Sequence, residues 1–330
     1  MIEVEGLSKV YSTTAALHDV SFTAQQGEIL GFLGPNGAGK TTTMRILAGY
    51  LPATSGTARI AGYDVHRAAL EVRRRIGYLP ETPPLYDDMT VAGFLHFVAQ
   101  LKGVPGRNRA QQVTSAMERC NLAEKRNVLI RKLSRGFQQR VGIAQAIVHD
   151  PPAIILDEPT IGLDPRQIID VRNLIQTLAG DRTVILSTHI LPEVSTTCDR
   201  VTIINAGTVV ATDTPDNLTS RLAGGTRYEI ETDGSFEQLQ PRLANVAGVA
   251  QVERGDTSDR DSDRTVLRAV AGAGAEPGRE LAAALVQAGA GLYEMRRTRA
   301  SLEDVFLQLT TQEPATGSTA PATAEGTATG

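Results

Sequence analysis

Nine consecutive residues, Gly34-Pro35-Asn36-Gly37-Ala38-Gly39-Lys40-Thr41-Thr42, follow the spacing G-x-x-x-x-G-K-[ST]. These residue types suit a loop that holds phosphates. Gly34, Gly37 and Gly39 carry no side chain, so the backbone can wrap closely and turn its N–H groups toward an anion. A helix beginning near Lys40 adds the positive end of its dipole. Lys40 supplies a mobile point charge for the terminal phosphates, and the Thr41 hydroxyl suits a Mg²⁺ ligand. Two carboxylates, Asp157 and Glu158, close the apolar run Ala153-Ile154-Ile155-Leu156. Neighbours on a strand point to opposite sides, so the two acids are expected to meet different surroundings. Asp157 is then placed to reach Mg²⁺, and Glu158 to orient a water for in-line attack on the terminal phosphate. His189 follows another buried run, Thr183 to Ser187, and reads as a phosphate contact. Tyr11 reads as a packed aromatic or as a stacking platform for a base.

The elements around these residues are those such a site needs. Ile29 to Leu33 suits a buried strand ahead of the glycine loop, and Thr42 to Leu51 a helix behind it. Val20 to Thr23, Arg59 to Ala61 and Arg75 to Leu79 suit further strands. Thr82-Pro83-Pro84 then forces a loop after Glu81. From Thr90, apolar residues recur at spacings of three and four (Val91, Phe94, Leu95, Val98, Leu101), and Val113, Met117 and Cys120 share one face of a second helix. This gives a helical insertion between strands, with Cys120 as core filling. Ser134 suits the cap of a helix carrying Val141, Ile143, Ala144 and Ile147. Strands feeding loops that lead into helices imply a mostly parallel α/β sheet with ligands at the C-terminal strand ends.

Composition narrows the class. The chain has 330 residues, 41% apolar and 21% charged, with a formal net charge of −4. That is ordinary for a globular protein with more than one domain, and gives no reason to expect nucleic acid as a partner. Cys120 and Cys198 have no metal-like spacing and fit a reducing, cytosolic setting. The N-terminus does not read as a signal peptide, and no apolar run approaches about 20 residues. At a membrane, another chain would have to do the spanning.

Six motifs in order give the sequence a family resemblance. The Gly34–Thr42 loop, Glu81, Leu133-Ser134-Arg135-Gly136-Phe137, Ile154–Glu158, Asp164 and His189 resemble the ATP-binding subunit of an ABC transporter over about residues 1 to 225. The resemblance implies a P-loop NTPase of the α/β class with a helical subdomain at about 82–150, binding ATP with Mg²⁺. It implies that Tyr11 stacks on the base, that Glu81 contacts the metal, and that Glu158, His189 and Lys40 serve hydrolysis. It also implies a head-to-tail homodimer in which Ser134 and Gly136 contact the γ-phosphate held by the other copy, with Asp164 at the same interface. Three positions depart from the family pattern. Glu81 stands where Gln is usual, Ile161 where a small residue is usual, and Leu-Ser-Arg-Gly-Phe where Leu-Ser-Gly-Gly-Gln is usual. The last places a cation, Arg135, beside the phosphates.

From Gly224-Gly225 the chain changes character. Strand and helix candidates in the order β-α-β-β-α-β suggest a small ferredoxin-like α+β domain at 226–310, with the polar run Gly255 to Arg264 as a loop. The segment Ser301 to Leu309 reads as a capped amphipathic helix, which either docks a partner or covers its own domain. Residues 311–330, rich in Ala, Thr, Pro and Gly, read as a disordered tail. This ending resembles the ATPases of ABC-2 type exporters. The resemblance then implies a subunit on the inner face of the cell membrane that powers export through a separate permease, whose coupling helix would sit against residues 82–133. The competing reading is a soluble ABC ATPase of translation or DNA maintenance. One intact domain and no long heptad run favour transport.

Overall fold

The computed structural model describes residues 1–222, 226–255, 264–272, 274–298 and 302–311. The chain opens with an antiparallel hairpin, β1 (Ile2–Tyr11) and β2 (Thr14–Ala24). Both strands are longer than the sequence suggests, because bulges between Val4 and Val10 let pairing continue past the breaks in alternation. Next come β3 (Ile29–Leu33), α1 (Lys40–Leu47), β4 (Ser55–Ile60) and the two-residue β5 (Tyr63–Asp64). The first sheet runs β2-β1-β4-β5.

One expectation is corrected here. Arg75 does not begin a strand but ends a short helix, α2 (Ala69–Arg75), and β6 runs from Ile76 to Leu79. Glu71 holds Arg75 at 2.5 Å and Arg74 at 3.0 Å one turn on, which favours helix for a segment that buries only Val72. The start of β6 is pinned by two cations-in-waiting. Ile76 O accepts from Lys102 Nζ at 3.2 Å and lies 3.0 Å from His149 Nε2. Burial, and then the neighbouring Lys102, push the His149 imidazole down to about 4.

The helical insertion contains α3 (Val91–Leu101) and α4 (Gly106–Arg119), followed by α5 (Arg135–Ile147). Thr90 caps α3 by accepting from Gly93 N–H. Cys120 is buried core filling, and burial pushes its thiol up to about 12. Then follow β7 (Ala153–Asp157), α6 (Pro165–Leu178), β8 (Thr183–Thr188), α7 (Leu191–Thr197), β9 (Arg200–Asn205), β10 (Thr208–Asp213) and α8 (Pro215–Leu222).

The central sheet has the order β10-β9-β3-β8-β7-β6, parallel except for the β10 edge. Every residue of β3, β7 and β8 is buried, as expected for strands covered on both faces. One face packs on α3 to α7. The other packs on α1 and the first sheet, through Leu30, Phe32, Ile155 and Ile185. Burying each such side chain contributes about 1.5–3 kcal/mol. This sheet positions the site. Four adjacent parallel strands, β3, β8, β7 and β6, deliver the Gly34 loop, His189, Asp157-Glu158 and Glu81 to the same edge.

The C-terminal part forms a third sheet, β12-β13-β11-β14, wholly antiparallel. Its elements are β11 (Arg227–Thr232), α9 (Phe236–Ala244), β12 (Val249–Arg254), β13 (Thr265–Ala271), α10 (Gly278–Gln287) and β14 (Leu292–Thr298). This is the β-α-β-β-α-β order that the sequence predicts. Its core, from Tyr228 to Leu285, is separate from the other two. The last helix, α11 (Leu302–Thr311), leaves this unit and returns to the first one. Leu302 and Val305 are buried in the central core beside α7, α8 and β9, and Asn205 Nδ2 donates to Thr310 O at 3.3 Å. The junction at 225, most of the 255–264 loop, Ser301 and the segment 312–330 lie outside the described residues. Among the described residues no helix is long and apolar enough to cross a membrane.

Candidate nucleotide site

The loop after β3 is held by its neighbours. A Cβ on Gly34 would lie 2.5 Å from Ile204 O, so only glycine lets the chain leave the sheet so close to β9. Ala38 N–H donates to Pro35 O at 3.2 Å, and Gly207 N–H donates to Ala38 O at 3.1 Å. Gly39, at φ 106°, caps α1 in the left-handed region. The loop thus wraps an open cleft of about 470 Å³ whose lining includes Pro35, Asn36, Gly37, Gly39, Lys40, Thr41 and Thr42.

The opposite wall consists of Glu81, Glu158, Ile161 and His189. Lys40 and Glu158 are only 6% and 5% exposed, and Lys40 Nζ lies 3.4 Å from Glu158 Oε1. Lys40 Nζ also donates to Gly34 O at 2.8 Å. Glu158 Oε2 lies 2.9 Å from His189 Nδ1, so the glutamate bridges lysine and histidine. Glu158 itself sits past the end of β7 at φ 50°, with its N–H donating to Ser187 O at 2.9 Å. Its separation from Asp157 therefore arises at a left-handed turn, not from strand pleating as the sequence suggests. Such strain in a non-glycine residue is common where a side chain has to be aimed.

Asp157 is fully buried, and neither carboxylate oxygen has a hydrogen-bond partner. Burial raises its pKa, while the nearby Ser187 and Thr41 hydroxyls pull the other way without hydrogen-bonding geometry. A buried carboxylate with both oxygens unpaired, facing a threonine hydroxyl, fits a divalent cation. No group of three or more His, Cys, Asp or Glu suited to a metal occurs among the described residues. A cation here would have to complete its shell with phosphate oxygens and water.

Glu193, on α7, is the functional candidate that sequence reasoning missed. It is buried, and its Oε2 accepts from Thr188 Oγ1 at 3.1 Å. Thr188 Oγ1 in turn accepts from Ile190 N–H at 3.1 Å, so the two bonds bracket His189. Burial raises the Glu193 pKa, opposed by the Thr160 and Thr188 hydroxyls. The signal available was an acid flanked by Leu191, Pro192 and Val194.

The remaining expected residues lie elsewhere. Tyr11 is 43% exposed, with Lys9 Nζ 5.2 Å from its ring centre, and the cleft is lined by Ala16 instead. Ser134, Gly136 and Asp164 lie outside the cleft, at the N-termini of α5 and α6. Ser134 takes the cap position of α5, but its hydroxyl makes no bond to the helix. Asp164 Oδ1 accepts from Gln167 N–H at 3.0 Å and caps α6.

Three comparisons bear on this arrangement. The family described as ABC transporter matches residues 17–161. The chain is 33% identical over 312 residues to the bacitracin transport ATP-binding protein BcrA of Bacillus licheniformis, a match covering 94% of this chain and 97% of that one. It is 34% identical over 310 residues to the daunorubicin resistance ATP-binding protein DrrA2 of Streptomyces coeruleorubidus, covering 94% of each. Among solved structures, MJ0796, a bacterial ABC transporter cassette with a dimeric structure, aligns at a TM-score of 0.60 and 25% identity. That match covers 65% of this chain and 98% of that one.

Proposed function

Because the chain belongs to the ATP-binding subunits of ABC transporters, we propose that it is the ATPase that powers an exporter through a separate permease of the ABC-2 type. The observation that carries the hydrolytic part is the Lys40–Glu158–His189 chain of contacts at one edge of the parallel sheet. The export assignment is supported by relatives that match nearly the whole chain, accessory sheet included, and are named for bacitracin transport and daunorubicin resistance.

The mechanism follows from the positions of the side chains. Backbone N–H groups of the Gly34–Thr42 loop and the N-terminus of α1 receive the phosphates. Lys40 leaves Glu158 for the terminal phosphates, which exchanges one anionic partner for another inside a poorly solvated cleft. Glu158 is then free to accept a proton from the attacking water. His189, already 2.9 Å from Glu158, holds the γ-phosphate beside it. Thr41, Asp157 and Glu81 would hold Mg²⁺, which supplies charge neutralisation at the phosphates when bound. Tyr11 would stack on the base. Ser134, Gly136 and Asp164 lie outside the cleft and would act on the nucleotide of a second copy, where the first turn of α5, which the Ser134 hydroxyl does not cap, offers an anion site. We place the assembly on the inner face of the membrane, with the permease resting against residues 82–133.

Two measurements test this. ATP turnover of the purified chain should collapse in Glu158→Gln; equal rates would overturn the hydrolytic reading. Glu158→Gln purified from membranes with ATP should bring an integral membrane chain with it. Recovery of ribosomes or DNA alone would overturn the transporter reading.

A further inference from the structure

The two residues that depart from the usual motif at the start of α5 both make contacts within their own chain. A Cβ placed on Gly162 would lie 2.6 Å from Arg135 Cζ and 2.9 Å from each of its Nη atoms. Equal distances to both Nη atoms, with Cζ nearest, mean that the guanidinium lies face-on over Gly162. Gly162 has φ 70°, so backbone shape and space both reserve that position for glycine. Arg135 has no carboxylate partner among the described residues. The ring of Phe137 lies 5.3 Å from Lys125 Nζ and 5.8 Å from Arg140 Cζ, and Arg140 Nη2 pairs with Asp170 Oδ2 at 2.7 Å. Between the two, a Cβ on Gly136 would meet the Gln167 carboxamide at 2.6 Å. Three successive residues of α5 therefore bear on the stretch Gly162 to Asp170, one of them through Arg140.

That stretch is short-wired to Glu158. Ile161 N–H donates to Glu158 O at 3.2 Å and Leu163 N–H to Thr160 O at 3.2 Å, so consecutive turns connect the glutamate to Gly162 without slack. We propose that Arg135 is a positioning residue for hydrolysis. It clamps the loop 158–164 to the first turn of α5, so that Glu158 of one nucleotide site and the surface that serves the other copy's site move as one body. The proposal rests on the dimeric reading above. It stands beside the sequence expectation that Arg135 is a cation near the phosphates, because Gly162 meets a face of the guanidinium whereas a phosphate would meet its N–H edge. The consequence is cooperativity. Closure on the neighbour's nucleotide shifts α5, and the flat stack passes that shift to Glu158.

The test is steady-state ATP hydrolysis by the purified full chain as a function of ATP, for wild type, Arg135→Ala, Arg135→Lys and Asp170→Asn. Arg135 is exposed, so its loss should leave the thermal melt unchanged. A clamp predicts that Arg135→Ala lowers turnover about tenfold, the scale of a small misplacement at a reacting centre. Half-saturating ATP stays within about twofold and the Hill coefficient falls toward one. Arg135→Lys should behave like Ala, since an ammonium keeps the charge but cannot lie flat. Asp170→Asn, which releases Arg140 and touches no nucleotide, should lower the Hill coefficient to a lesser degree. A rise in half-saturating ATP with turnover preserved, rescued by Lys, would overturn the clamp in favour of a phosphate contact. So would variants that match wild type in all three parameters. Wild type without turnover would overturn the functional reading, and the clamp with it.

Discussion

Lys40 and Glu158 face each other across the cleft with Nζ and Oε1 3.4 Å apart, and the second oxygen of Glu158 is held by His189. With the cleft as it stands, the glutamate neutralises the lysine that a triphosphate needs. Nucleotide binding and freeing of Glu158 are thereby one event. Glu158→Gln removes the charge and keeps the shape. It should lower turnover by about 10²–10⁴, while ATP binds at least as tightly, because Lys40 no longer has to leave an anion. Titration calorimetry beside a phosphate-release assay checks both halves. Weakened binding would argue against this competition.

Lys40→Ala should do the reverse. It leaves the buried Glu158 with His189 as its side-chain partner and takes from the cleft the cation that would meet the terminal phosphates. ATP should no longer raise the melting temperature, although ligands that bind only the folded state ordinarily do. A melting scan with and without nucleotide decides it, and an ATP-dependent rise that survives in the variant would count against the loop as the phosphate cradle.

Tyr11 is where the resemblance and the geometry part. The ring is exposed beside Lys9 and outside the cleft. If it stacks on the base, Tyr11→Ala should raise half-saturating ATP by about ten- to a hundredfold, corresponding to about 1–3 kcal/mol of stacking. Turnover at saturation should not change, and Tyr11→Phe should be neutral. An unaltered ATP dependence in Tyr11→Ala would assign the ring to the surface.

His149 gives the fold a pH dependence of definite sign. Its folded pKa, about 4, is below the ordinary value of 6.5, so the unfolded chain binds more protons between these values. The contribution is therefore complete above 6.5 and is lost as the pH falls toward about 4. His149→Gln, which keeps a donor for Ile76 O, should flatten this part of the curve of melting temperature against pH. Identical curves would show that the imidazole does not carry it.

Val305→Ala should weaken the ATP-binding unit, not the accessory sheet, because Val305 is buried in the central core. A loss of about 1–3 kcal/mol is expected. Limited proteolysis followed by fragment identification distinguishes the two units.

Much of the site is legible in the sequence because each part lies at the end of a local apolar run. Ile29–Leu33, Ala153–Leu156 and Thr183–Ser187 announce buried strands, and chemistry-bearing residues follow each. What the sequence does not carry is neighbourhood. That Glu158 meets Lys40 of the loop on one side and His189 on the other depends on the strand order β3-β8-β7. Helix α2 escapes notice because only Val72 is buried and its helical signal is a set of charged pairs. Glu193 escapes because its importance lies in a bond to Thr188 that spacing alone does not reveal. The turn that aims Glu158, at φ 50°, is legible to no pattern of polarity, since positive φ is uncommon for any non-glycine residue. Arg135 is legible as a departure, but its placement over Gly162 depends on a turn some 27 residues away being brought to the start of α5.

The return of α11 to the central core also orders events during synthesis. Leu222 ends the contiguous part of the ATP-binding unit, and roughly eighty residues pass before Leu302 arrives. At ordinary elongation rates that interval is on the order of ten seconds. Through it the seat beside α7, α8 and β9 is uncovered apolar surface on a nascent chain, while the accessory sheet completes itself. Ribosome-borne chains halted before Leu302 should thus be clients of holding chaperones, and the released chain, with α11 seated, should not.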